Sequence, residues 1–289
     1  MIQRDITKAL DTLLFSNVFI ACCAVAQGGL TYRLLSLPAD YSVLAILGCA
    51  TLALYNTSMI LARPHRPEES PYRRVRWIFR REQSLWWWTG IVLTAAFTLG
   101  VRLHLPSFAL LAVMGAMGLA YNVPLIRIKG QRRWAGLRQI TGLKLFYIGA
   151  VWALSCVLLP VAEAYHDGLA IHWPQVWQLM GWVFMFVVAI TIPFDVRDIY
   201  QDRYYGLKTI PVLIGERKAL ALSALLLAGH AGWVWISGYA LAVRLALALT
   251  SLLSLVVILL PPMKRDEYYY FLLLDGLLVL QFLAVWGLA

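Results

Sequence analysis

Nine apolar stretches dominate the chain, at roughly 12–31, 42–62, 84–101, 106–123, 143–162, 174–194, 217–237, 240–261 and 268–288. Each approaches the ~20 apolar residues that carry a helix across a bilayer. Several are flanked by aromatic residues of the kind that settle at membrane interfaces, such as Trp86, Trp87 and Trp88, or Tyr268, Tyr269 and Tyr270. Composition agrees: 61% of the 289 residues are hydrophobic and 14% charged, where soluble domains have ~45–50% and ~25%. That balance excludes a water-soluble fold, a disordered chain and a disulfide scaffold. The expectation is an all-α, multi-pass membrane bundle of about nine transmembrane helices, forming a single domain over residues 1–289.

The charges then set the expected orientation. Placed on alternating sides of nine spans, 22 of the 25 Lys and Arg residues fall together, leaving only Arg33, Arg102 and Arg244 opposite. The positive-inside rule therefore puts the N-terminus in the cytoplasm and the C-terminus outside, in a bacterial inner membrane. The net charge of +10 is topological in origin, and no nucleic acid is needed to explain it. Arg4, Lys8 and the apolar run from Leu13 could alternatively be a cleavable signal, but its removal would spoil the parity of the spans. The Arg-rich loop 63–83 is either an anchor on anionic lipid or part of a substrate site. Cys22, Cys23, Cys49 and Cys156 all fall inside spans without metal-ligand spacing, and read as packing residues.

The acids are the more specific signal. Asp195, Asp198 and Asp202 follow one another at i, i+3 and i+7, which on a helix falls within about 60° of one face. Three like charges on one stripe favour a cation between them, and hard oxygen ligands suit Mg²⁺, which often bridges to phosphates. The competing reading is a solvated helix end whose acids pair with Arg197, Arg203 and Lys208.

The stretch continues through Gly206, Thr209, Pro211 and Gly215, giving D-x-x-D-x-x-x-D-x-x-x-G-x-x-T-x-P-V-x-x-G. This string resembles the second aspartate-rich motif of the UbiA family of intramembrane prenyltransferases. Tyr121-Asn122-Val123-Pro124, Arg127, Lys129, Lys144, Trp152 and Pro160 fit the same resemblance. It implies a helical bundle around a central cavity open to the cytoplasmic side. It further implies Mg²⁺ and transfer of an isoprenoid chain from a prenyl diphosphate to a lipophilic, commonly aromatic, acceptor. Asp195, Asp198 and Asp202 would be the catalytic and metal-binding acids, and Asn56, Arg63, Tyr121, Lys129 and Lys144 the substrate contacts.

One departure matters. The first motif of the family should read N-D-x-x-D-x-x-x-D near the end of the second span, but here Asn56 is followed by Thr57, Ile60 and Pro64 at the aspartate positions. No Asp or Glu occurs between Asp40 and Glu68, so one metal group is missing unless Glu68 and Glu69 fold back. Three readings stay open: a prenyltransferase working with one metal group and basic residues, a degenerate lipid-binding or scaffold protein, and an isoprenoid cyclase. Asp275, inside the last span, is a functional candidate by default and is read first as a partner for a neighbouring polar group. His230 is read as an interhelical hydrogen-bond donor or acceptor. Broken helices and repeated halves, the marks of a transporter, are scarce.

Overall fold

The computed structural model describes residues 2–122, 126–127, 134–135, 142–204, 206–260 and 266–288. It is helical apart from a two-residue antiparallel pairing of β1 (Ile126–Arg127) with β2 (Trp134–Ala135). The helices are α1 (Ile2–Phe15), α2 (Val18–Leu34), α3 (Tyr41–Leu61), α4 (Arg73–Phe79), α5 (Glu82–Gly100), α6 (Leu105–Asn122), α7 (Leu143–Ala153), α8 (Leu159–His166) and α9 (Trp173–Arg197). They continue with α10 (Ile199–Tyr204), α11 (Ile210–Ile214), α12 (Glu216–Trp235), α13 (Leu241–Leu259) and α14 (Asp275–Leu288). A π-helical turn, Leu154–Leu158, joins α7 to α8, and another, Tyr269–Leu274, leads into α14.

All nine expected stretches carry helix, yet fewer meet the length and hydropathy of a membrane span. Among the described residues six do: Tyr41–Leu61, Leu143–His166, Trp173–Arg197, Glu216–Trp235, Leu241–Leu259 and Tyr269–Leu288. A seventh is gained if α1 and α2 are one span, bent by 62°. The count of nine is therefore not reached: α6 is short, and α5 opens on polar Glu82, Gln83 and Ser84, with three Trp residues after Leu85. The first stretch also differs from the straight helix expected over 12–31. Asn17, with φ 66°, interrupts it, and its side chain has work to do elsewhere.

The spans close on themselves. Helix α2 packs on α3, α3 on α6, α6 on α7 and α8, α7 on α9, α9 on α12, α12 on α13, α13 on α14, and α14 back on α2. Helix α5 lies outside this ring, against α3. Exposed apolar side chains such as Trp87, Phe97, Leu249, Leu252, Val256 and Leu259 face outward, as lipid-facing residues should. The largest core cluster joins α2, α9, α12, α13 and α14, with Trp182 and Phe186 at its centre. Several polar groups around it are paired across helices, as hydrocarbon offers no water. Gln27 Nε2 donates to Leu278 O at 2.9 Å and to Gln281 Oε1 at 3.2 Å, and His230 Nδ1 lies 2.8 Å from Ser251 Oγ.

Close approach of α7 and α9 brings Lys144 and Asp195 together, and Gly149 permits it. A Cβ there would meet Val188 Cγ2 at 2.7 Å and Phe184 Cδ2 at 3.0 Å. Gly149→Val should therefore force the helices apart and destabilise the protein by ~1–3 kcal/mol. A thermal melt of the purified variant checks this, and an unchanged midpoint would mean the pair has slack.

Candidate functional site

Helix α9 runs unbroken through Pro193, which cannot donate to the carbonyl of Ala189. That carbonyl instead accepts from Ser223 Oγ of α12 at 2.7 Å. The last turn of α9 is thus held from outside, and it bears Asp195. Helix α9 stops at Arg197, Asp198 occupies the break, and α10 resumes at Ile199.

The break separates the three acids. Asp195 is fully buried; its Oδ1 accepts from Lys144 Nζ at 2.5 Å, while Oδ2 has no hydrogen-bond partner. Asp198 is partly exposed and takes a two-pronged contact from its neighbour, with Arg197 Nε and Nη2 donating at 2.7 and 3.0 Å. Asp202 is buried and turned away; its Oδ2 accepts from Thr209 Oγ1 at 3.1 Å, bracing the loop that leads to α11. The uninterrupted stripe expected from the i, i+3, i+7 spacing is therefore not the observed arrangement. Among the described residues these three do not bring their oxygens into one cluster; the group that does is His104, Glu163 and Asp167.

Asp195 and Asp198 face a cavity of about 390 Å³ between α2, α3, α7, α9 and α14. Its wall is mostly apolar and aromatic, with Phe19, Tyr55, Tyr121, Tyr147, Trp152, Phe194 and Phe271, in keeping with a small-molecule site. Tyr121 and Tyr147 stack with centroids 5.6 Å apart. At one end the charged groups gather: Lys144, Arg74 and Arg197 with Asp195, Asp198 and Asp275. The π-helical turn before α14 precedes Asp275, and Phe271, Asp275 and Leu278 all line the cavity. Such turns recur at functional positions.

Of the substrate contacts expected from sequence, Tyr121 and Lys144 line this cavity. Asn56 is buried behind the wall and accepts from Asn17 Nδ2 at 2.8 Å. Arg63 is outside, paired with Glu82 at 2.5 Å and resting over Phe79. Lys129 lies outside the described residues. Glu68 and Glu69 do not fold back: both are exposed, and Glu69 pairs with Arg66.

The residue that sequence reasoning did not single out is Arg74. It sits in the first turn of α4, where its backbone N–H donates to Glu267 Oε1 at 3.0 Å. Its guanidinium enters the cavity wall, donates through Nη2 to Asn17 Oδ1, and lies 4.1 Å from the centroid of Phe271. The Nε is buried without a partner. Burial, reinforced by the nearby positive Arg197, pushes its pKa down to about 10. Arg197 reaches the same ring, 5.6 Å from Phe271, and also lies 4.7 Å from Tyr270. Two guanidinium groups thus converge on one side of the cavity, repelling each other. An anion between them would relieve that repulsion.

The profile of the UbiA prenyltransferase family matches residues 75–274. Among curated proteins none matches the chain by sequence. Solved structures with the same fold include a UbiA homologue from Archaeoglobus fulgidus bound to GPP and Mg²⁺, 13% identical, with a TM-score of 0.66 over 96% of this chain and 98% of that one. The apo structure of a UbiA homologue from Aeropyrum pernix K1 is 17% identical, with a TM-score of 0.62 over 94% and 96%. A structure described for the biosynthesis of digeranylgeranylglyceryl phosphate synthase in membranes is 14% identical, with a TM-score of 0.58 over 98% of both chains.

Proposed function

Because the chain belongs to the UbiA prenyltransferase family, we propose that it transfers an isoprenoid chain from a prenyl diphosphate to a lipophilic, aromatic acceptor. The observation that carries this reading is the division of one cavity into a charged end and an aromatic, apolar remainder. A homologue of the same fold holds GPP and Mg²⁺, and another of its structures holds DMAPP and Mg²⁺.

Asp195 and Asp198 suit one divalent cation. The orphaned Asp195 Oδ2 is a buried acceptor in want of a partner, and Asp198 lines the same cavity. Nothing at the end of α3 suits a second ion, since Thr57, Ile60 and Pro64 stand where the family's first motif has carboxylates. A Mg²⁺ ion bound by Asp195 and Asp198 would supply positive charge to the departing diphosphate. Lys144, Arg74 and Arg197 supply the rest, as preorganised cations aimed at charge that grows while the C1–O bond breaks. The aromatic faces of Tyr121, Tyr147 and Phe271 suit the allylic cation that emerges. The apolar walls exclude the water that would quench it. A new bond to the acceptor then forms and the acceptor loses a proton. Asp202 acts on this site by holding the 206–215 loop. In this reading the charged end faces the cytoplasm of a bacterial cell, and residues 1–289 work as one membrane domain.

Purified protein incubated with prenyl diphosphates of several lengths tests the proposal. Mg²⁺-dependent binding is expected, and Asp198→Ala should weaken it by at least about 100-fold. Binding that ignores Mg²⁺ or survives Asp198→Ala would sink the metal reading. Uptake of lipid without release of diphosphate would point to a binding protein, and a cyclised hydrocarbon product to a cyclase.

A further inference from the structure

The far end of the bundle holds a second group of potential ligands that the prenyl-transfer reading leaves unused. His104 lies in the connection before α6, while Glu163 and Asp167 lie at the end of α8 and just past it. Lys144, at the charged end of the cavity, starts the α7–α8 span. Nineteen helical residues separate it from Glu163, a rise of about 28 Å, so this group sits at the opposite membrane boundary.

The spacing i, i+4 puts Glu163 and Asp167 on one face, and His104 comes down between them. His104 Nδ1 lies 3.1 Å from Glu163 Oε1 and 3.7 Å from Asp167 Oδ1. All three ligand atoms fall within 4.8 Å of one another. The carboxylate of Glu163 is buried and already oriented, since the backbone N–H of His104 donates to both of its oxygens at 3.2 Å. His104 and Asp167 are about half exposed, so an ion could reach them. Among the described residues, neither carboxylate has an ion pair with a Lys or Arg; each has only this imidazole. Two adjacent acids with one imidazole between them are short of positive charge.

We propose that His104, Glu163 and Asp167 bind a divalent transition metal ion, Zn²⁺ being the ion best matched to the donors. Zn²⁺ accepts imidazole nitrogen and carboxylate oxygen at ~2.0–2.2 Å, and in a tetrahedron those bonds set the ligands about 3.4 Å apart. The observed 3.1 and 3.7 Å need only small side-chain adjustments. Water or His166, whose ring centroid is 5.7 Å from that of His104, takes the fourth position. The ion would tie the start of α6 to the end of α8 and is independent of any chemistry in the cavity.

The full chain, stripped with EDTA in detergent, is titrated with Zn²⁺ while heat of binding and unfolding temperature are followed. In Asp198→Ala, whose cavity site is disabled, one saturable ion per chain and a rise in unfolding temperature of a few degrees are expected. His104→Ala and Asp167→Asn, each added to Asp198→Ala, should weaken that binding by at least about tenfold. Asp167→Asn, at a half-exposed position, keeps the test valid should His104→Ala fail to fold. Absence of saturable binding, indifference to both substitutions, or loss of the ion in Asp198→Ala would overturn the assignment.

Discussion

Lys144→Met should be the most destabilising single change near the cavity. Its ammonium touches Asp195, whose side chain is 1% exposed. Removing it leaves a buried carboxylate with no compensating charge, a loss of the order of 3–5 kcal/mol. The double change Lys144→Met with Asp195→Leu should restore most of that stability, because an apolar pair of similar volume needs no solvation. It should not restore prenyl-diphosphate binding. Stability and binding would thus separate in one set of variants, read by chemical denaturation in detergent and by ligand titration. A Lys144→Met protein as stable as the parent would show that the pair is not the brace of the α7–α9 contact.

Arg74→Ala should weaken prenyl-diphosphate binding by about 10- to 100-fold, the scale of one or two charge-assisted hydrogen bonds. Arg74→Lys should recover only part of it. A lysine keeps the charge but loses the planar fork and the stacking on Phe271. Asn17→Ala should show a smaller loss of the same kind, because Asn17 holds Arg74 from behind. Equal affinity in Arg74→Ala and the parent, measured with a non-hydrolysable analogue at saturating Mg²⁺, would remove Arg74 from the site. Full loss in Arg63→Ala, at the surface pair with Glu82, would argue that the loop rearranges on binding.

How far the sequence could be read depended on which forces decided each position. Hydrophobic runs are local and long, so helix positions were legible even where, as in α5 and α6, the spans themselves were not. The break at Asn17 was hidden, because neither proline nor glycine marks it and its cause is tertiary: the side chain bridges Asn56 and Arg74. The acids were visible as residues, but their arrangement was not. Spacing on an ideal helix says nothing of a helix that ends at Arg197 or of a threonine that draws Asp202 aside. Arg74 was one of seven arginines between 63 and 81. Only the packing of α4 against α1 and the loop before α14 distinguishes it from neighbours that face solvent. His104 lies 59 residues from Glu163 along the chain, and no local pattern joins it to the two acids.

The closure of α14 onto α2 has a consequence for how the protein is made. Gln27 is inserted early in synthesis, yet its partners, Leu278 O and Gln281 Oε1, emerge some 250 residues later. At translation rates of ~5–20 residues per second, that amide waits at least about ten seconds in the membrane for its hydrogen bonds. Until then the cavity also lacks Phe271 and Asp275. The wall exists as a binding site only when the last helix has arrived, so the ribosome delivers an open scroll that becomes a vessel in its final step.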